Sequence, residues 1–142
     1  MNKIASLKTI LITGSNGLLG QKLVAQLSID ENCKLIATSQ GGNRINNKKG
    51  YVYESMDITS ETEVGNIFEK YAPDVVINTA AMTNVDACED AKESCWDINV
   101  NAVEILLKNS EKYNSHLIHL STDFVFDGEN GPYKEEDKPN PL

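Results

Sequence analysis

The sequence predicts an α/β fold: a three-layer, doubly wound parallel sheet with strand order 3-2-1-4-5 and helices on both faces. Three observations predict it. Short, nearly continuous apolar runs recur along the 142 residues, as strands buried on both faces require. Stretches with helical apolar spacing alternate with them. The first apolar run opens directly into a glycine-rich turn, TGSNGLLG, with glycines at positions 14, 17 and 20.

Each element follows in order. Residues 8–13 (KTILIT) read as the first strand, and Leu18, Leu19, Leu23, Val24 and Leu27 form a helical apolar stripe behind the glycines. Residues 33–38 (CKLIAT) are a second strand, and the polar, Gly/Asn-rich residues 39–50 are a loop. Residues 51–56 make a third strand. Ser60 and Glu63 fit a capping box, and Val64, Ile67, Phe68 and Tyr71 then share one helix face. Pro73 ends that helix, and residues 74–79 (DVVINT) are a fourth buried strand. Residues 94–113 are expected to be mostly helical, with Trp96, Val100, Val103 and Leu107 on one side. Residues 116–121 (HLIHLS) are a fifth strand, and residues 127–142 a polar, proline-bearing tail. No internal repeat or low-complexity segment interrupts the pattern, and the first 126 residues contain no linker, so one domain is expected.

Composition narrows the partners. Asp and Glu outnumber Lys and Arg by 21 to 13, a formal net charge of −8, which argues against binding a nucleic-acid backbone. No apolar run approaches a membrane span, and Lys3 and Lys8 flank no signal-peptide core. Cys33, Cys88 and Cys95 are odd in number and lack a C-x-x-C spacing, as reduced thiols in a cytoplasmic protein would be.

The glycine turn has the G-x-x-G-x-x-G spacing, between a buried strand and an amphipathic helix. In that setting Gly14 permits the tight turn, Gly17 lets backbone approach a pyrophosphate, and Gly20 lets the helix pack closely. The new helix N-terminus then faces the phosphates. A plain strand-to-helix turn is the alternative. A P-loop is excluded, because no Gly-Lys-Ser/Thr follows.

The pattern of residues 13–20, Asp57-Ile58, Asn78-Thr79-Ala80-Ala81, Asn99-Val100 and Ser121-Thr122-Asp123 resembles the extended short-chain dehydrogenase/reductases in order and position. The segments AAMTNVDACED, INVNAV, LSTDFVFDG and EEDKPNPL are most similar to the dTDP-4-dehydrorhamnose reductases among them. The resemblance implies a Rossmann-type domain that binds NADPH or NADH and serves reduction of a nucleotide-linked 4-keto sugar in dTDP-rhamnose biosynthesis. It places Gly14, Ser15, Asn16, Gly17, Leu18 and Leu19 along the cofactor pyrophosphate. Asp57 and Ile58 would meet the adenine, although Asp57 next to Thr59-Ser60 equally suits a helix-initiating role. Ala80 and Ala81 would leave room for the nicotinamide ribose, or pack tightly against the glycine turn; the two are compatible. Thr83 would add a hydroxyl, and Asn99 would hold a water or backbone kink near the active centre. Thr122 would orient the substrate carbonyl with Ser121 in support, and Asp123 and Phe124 would lie near the sugar.

No carboxylate follows strand 2, where enzymes that select NAD grip the ribose 2′-hydroxyl. Ser39 and Arg44 stand there instead and suit a 2′-phosphate, which favours NADPH; Arg44 as a solvated loop residue is the alternative. The family's proton donor is a Tyr-x-x-x-Lys pair. Tyr51, Tyr53, Tyr71, Tyr113 and Tyr133 are followed four residues on by Ser55, Asp57, Val75, Leu117 and Asp137, so the pair is absent. The chain is therefore expected to be an N-terminal portion, 1–142, that lacks later strands and the substrate region and is inactive alone.

Other clusters read as structural. His116 and His119 point to opposite faces of a strand, which rules out a shared zinc. Cys88 and Cys95 read as small buried thiols, Asp86, Glu89, Asp90 and Glu93 as a solvated helix face, and Glu135-Glu136-Asp137 as an exposed turn. A homodimer is a possible assembly. A non-catalytic cofactor-binding subunit and a sugar-nucleotide epimerase or dehydratase remain the alternative functions.

Overall fold

The computed structural model describes residues 7–122 and 125–141. Five parallel strands, β1 (Lys8–Thr13), β2 (Cys33–Ser39), β3 (Val52–Ser55), β4 (Val75–Asn78) and β5 (His116–His119), lie in the order β3-β2-β1-β4-β5. This is the expected doubly wound order, and the reversal between β1 and β4 opens a crevice at their carboxyl ends. The helices are α1 (Leu18–Leu27), α2 (Glu61–Tyr71), α3 (Val85–Asp90), α4 (Lys92–Trp96) and α5 (Ala102–Tyr113), with a π-helical turn over Asp97–Asn101.

The core has two halves because strand side chains alternate. Leu11, Ile36 and Val76 face α2 and α5, where they bury Val64, Phe68, Ala102 and Leu106. Ile12, Leu35 and Ala37 face α1, with Val24 and Ile45 completing that side. Cover on the α1 side stops short of β5. Ile118 pairs in register with Ile77 on that face and is 40% exposed, with no described helix over it.

Three expected helix details change. The α1 stripe begins later than expected: Gly20 and Val24 are buried, whereas Leu18 is 83% exposed and Leu19 is also exposed. Gly20 is the point of closest approach, so the first turn of α1 stands proud of the sheet. Helix structure also starts earlier than residue 94, because Asn84 caps α3 by accepting from the Ala87 N–H at 2.9 Å. Finally, the expected face of Trp96, Val100, Val103 and Leu107 is not the buried one. Trp96 is 62% exposed and Leu107 47%, while Ala102, Ile105, Leu106 and Ser110 are buried. The cause is the π turn, whose extra residue rotates everything after it by roughly 100° relative to an unbroken α-helix.

The capping box at α2 is half formed. Ser60 Oγ accepts from the Glu63 N–H at 3.3 Å, but Glu63 Oε2 reaches past Ser60 and accepts from the Asp57 N–H at 2.8 Å. Ser60→Ala is expected to cost about 1 kcal/mol, read from the denaturant midpoint, whereas Ser60→Asp keeps the cap and leaves it nearly unchanged. Equal losses in both variants would show that the cap is not what Ser60 contributes. On the same edge, Glu54 takes the Lys70 ammonium at 2.6 Å and the Tyr71 hydroxyl, tying β3 to the end of α2.

Residues 125–141 form a compact irregular loop around Asp127. Its carboxylate accepts from Tyr133 Oη at 2.6 Å, the Glu129 N–H at 3.0 Å and Asn140 Nδ2 at 2.8 Å, while Phe126 and Tyr133 stack at 4.3 Å. The Tyr133 bond first, then the Glu129 and Asn140 bonds, hold the Asp127 carboxyl down to about 2. A depressed folded value means these bonds stabilise the loop fully above the ordinary carboxylate range and are lost as pH falls through about 2. The Tyr133 ring resonances are expected to titrate with a midpoint near that value; a midpoint at the ordinary aspartate value would contradict it.

Candidate functional site: two clefts that meet at Ala80-Ala81

The crevice holds two clefts. One, of about 280 Å³, is bounded by Gly14, Gly17, Ser39, Gln40, Asp57, Ile58 and the Thr79–Ala81 segment. The other, of about 670 Å³, runs along Met82, Thr83, Asn99, His119, Ser121 and Thr122. Ala80 and Ala81 line both.

The floor of the smaller cleft is built by close backbone contact. Gly14 has φ +68°, and a Cβ there would sit 2.6 Å from Ala80 N. At Gly20 a Cβ would fall 2.4 Å from the Gly14 carbonyl, so α1 packs on the turn itself more closely than on the sheet. Gly17 is the N-cap of α1 and offers no side chain, so no side chain caps the first-turn N–H groups, and Gly17 itself lines the cleft. Ser15 is fully buried, and its hydroxyl has no hydrogen-bond partner among the described residues. A glycine floor without side chains and an uncapped helix N-terminus with its dipole fit the phosphates of a dinucleotide.

Asn16 does something the sequence did not suggest. Its Nδ2 donates to the Gly42 carbonyl at 3.0 Å, and its Oδ1 accepts from the Arg44 N–H at 2.9 Å. The side chain thereby latches the loop after β2 onto the glycine turn. Arg44 is carried on that loop, is exposed, and makes no ion pair among the described residues. Asp57 uses Oδ1 to accept from both the N–H and the hydroxyl of Thr59, and Oδ2 to accept from Gln40 Nε2 at 3.0 Å. It shapes the turn before the cap residue Ser60 and also borders the cleft. Ile58 is buried in the core, with an edge in the cleft.

A hydrogen-bonded hub sets the seam between the clefts. Asn78 is buried; its Oδ1 accepts from the Thr13 hydroxyl and from the Ala80 N–H at 3.1 Å, and its Nδ2 pairs with His119 Nδ1 at 3.0 Å. Thr79 Oγ1 donates to the Thr13 carbonyl at 2.7 Å. Four groups from β1, β4 and β5 thus fix where Ala80 lies. Asn99, in the π turn, accepts from the Met82 N–H at 2.9 Å and donates to the Met82 carbonyl at 3.0 Å. It clamps the segment after β4 by both backbone groups of Met82. Cys88 and Cys95, read from the sequence as small buried thiols, are half-buried and flank the Asn99–Met82 clamp, Cys88 at the Met82 carbonyl and Cys95 at Asn99 Nδ2. The interruption at Ala91 lies between them. Ser121 and Thr122 line the larger cleft at the end of β5; Asp123 and Phe124 lie outside the described residues.

Residues 8–142 match the model of the RmlD substrate binding domain. The chain belongs to that family. A curated relative, dTDP-4-dehydrorhamnose reductase of Aggregatibacter actinomycetemcomitans, is 35% identical over 94% of the chain and 41% of its own length. Methionine adenosyltransferase 2 subunit beta of Bos taurus is 33% identical over 95% of the chain and 38% of its own length. Among solved structures, a hypothetical dTDP-4-dehydrorhamnose reductase from Sulfolobus tokodaii superposes with a TM-score of 0.80 at 40% identity, covering 94% of this chain and 46% of that one. The chain thus spans less than half the length of the RmlD-family relatives it matches. Among the described residues, no helix is long and apolar enough to cross a membrane.

Proposed function

We propose that the chain is the NAD(P)H-binding portion of a reductase that acts on a nucleotide-linked 4-keto sugar. The observation that carries this reading is the junction at Ala80-Ala81 of a cleft with an uncapped glycine floor and a cleft that ends on Ser121-Thr122. The dinucleotide, when bound, supplies a hydride. The chain's own groups do the rest. The turn of Gly14–Gly17 and the first-turn N–H groups take the pyrophosphate, and Asp57 faces the adenine end. Ser39 and Arg44, on the loop latched by Asn16, take a 2′-phosphate, so NADPH is favoured over NADH. Small side chains at Ala80 and Ala81 admit the nicotinamide ribose, with Thr83 beside it. Thr122 donates to the sugar keto oxygen, with Ser121 in support, and Asp123 and Phe124 stand nearest the sugar. The proton comes from a Tyr-x-x-x-Lys pair outside this chain, so residues 1–142 bind cofactor and reduce nothing.

The test is a titration of NADPH and NADH into this chain and the full-length protein, followed by turnover with dTDP-4-keto sugars. Expected are dinucleotide binding by both, turnover only by the full-length protein, and a tenfold or greater loss of NADPH affinity in Arg44→Ala with NADH affinity unchanged. Failure of both dinucleotides to bind would end the reading, and a strong NADH preference would remove the role given to Arg44. The similarity to a protein named as an adenosyltransferase subunit supports a second reading, a cofactor-binding subunit without turnover. Dinucleotide binding with no reduction by the full-length protein would select it.

A further inference from the structure

Beside the larger cleft, two thiols flank one hydrogen-bonded pair, the Asn99 amide and the Met82 carbonyl. Cys88 lies on α3 and Cys95 on α4, seven residues apart, a spacing that an unbroken helix would stretch over about 10 Å. The chain leaves helical geometry between them, at Ala91 (φ −129°, ψ 58°), and both side chains reach the Asn99–Met82 pair. Cys88 Sγ also lies 3.6 Å from the Met82 carbonyl oxygen. Asn99 Nδ2 donates to that same oxygen at 3.0 Å and to Cys95 Sγ at 3.3 Å. Both cysteines are half-buried, so a small reagent can reach them.

The two sulfurs are not equivalent. Cys95 Sγ faces a donor, the Asn99 amide, at 3.3 Å. Cys88 faces an acceptor, the Met82 carbonyl. Its contact with Cys95, followed by burial, pushes the Cys88 thiol up to about 11. One sulfur is therefore arranged to attack and the other to hold its proton until needed.

We propose that Cys88 and Cys95 form a redox modification site, in which Cys95 attacks a small-molecule disulfide and Cys88 resolves the product to an intramolecular disulfide. With oxidised glutathione, the Cys95 thiolate attacks one sulfur, the glutathione S–S bond breaks, and one glutathione leaves and takes up a proton. Cys88 then gives its proton to solvent and attacks Cys95 Sγ, and the second glutathione leaves the same way. Two protein thiols are oxidised, and one glutathione disulfide is reduced to two thiols. Closing the bond requires the two Cα atoms to come within about 7 Å, and the non-helical Ala91 between them is where the backbone can bend. The disulfide withdraws both sulfurs from the Asn99–Met82 clamp.

The experiment treats the full-length protein with oxidised glutathione, caps free thiols with iodoacetamide and maps the peptides by mass. Expected is a Cys88–Cys95 disulfide reversed by dithiothreitol, with Cys33 recovered in its capped form. Cys88→Ser should trap glutathione on Cys95, and Cys95→Ser should leave Cys88 capped and free of glutathione. A mixed disulfide that persists in the wild type, a disulfide from either residue to any other cysteine, or recovery of both as capped thiols would overturn the proposal. Glutathione on Cys88 in the Cys95→Ser variant would overturn the assigned polarity.

Discussion

Gly14→Ala is expected to destabilise the chain by about 2–5 kcal/mol and to abolish dinucleotide binding. Two costs combine. A residue with a Cβ at φ +68° loses about 1–2 kcal/mol to its own backbone. Its Cβ would also lie 2.6–2.7 Å from Ala80 N, Ala80 Cα and Thr79 C, which are all backbone atoms and cannot swing aside. The seam between β1 and β4 has to open, at about 1–3 kcal/mol more. Gly17→Ala is the matching control. Its φ of −75° suits alanine, and the added Cβ meets only the Gly14 carbonyl, at 3.2 Å. That variant should stay within about 1 kcal/mol of wild type yet bind dinucleotide more weakly, because the methyl enters the cleft. Denaturant unfolding and cofactor titration separate the two, and equal stability losses would refute the distinction.

Asn78→Leu is expected to cost about 2–5 kcal/mol, although leucine is of similar size and the site is buried. The loss comes from what is left behind. The Thr13 hydroxyl and the Ala80 N–H both donate to Asn78 Oδ1, and the fully buried Thr13 hydroxyl has no water to turn to. An unpaired buried donor costs about 1–3 kcal/mol. Thr13→Val removes one donor together with its need for an acceptor and should cost about 1 kcal/mol. In the double variant the Asn78→Leu penalty should shrink, because one orphan is gone. Strict additivity in that cycle would show that the Thr13–Asn78 bond carries none of the effect.

Strand order and the need for glycine at position 14 were readable because they depend on local chemistry. An apolar run such as Ile10-Leu11-Ile12 has to be covered on both faces, and a turn such as Gly14's needs a residue without a Cβ. The face of the last helix was misread because no residue in Asp97–Asn101 announces a π turn, and helical periodicity assumes there is none. Asn16 was assigned to the phosphates by its place in the glycine pattern. Its actual partners, Gly42 and Arg44, lie 26 and 28 residues away on a loop with no periodicity to locate it. Asn78 was visible only as part of a familiar string, since a buried hub is defined by what surrounds it. That Cys88 and Cys95 flank one clamp depends on Ala91 leaving helical geometry, which an alanine gives no reason to expect.

The shared wall at Ala80-Ala81 has an energetic consequence for any ligand long enough to cross it. Once one end is seated in the smaller cleft, the other end samples the larger one at an effective concentration in the millimolar range or above, set by the short tether between them. The second half then needs little intrinsic affinity of its own to be held in place. Ligand fragments that fill one cleft each should bind far more weakly as a mixture than when joined. Bulk introduced at Ala81 should erase that advantage, because it narrows the wall both clefts share.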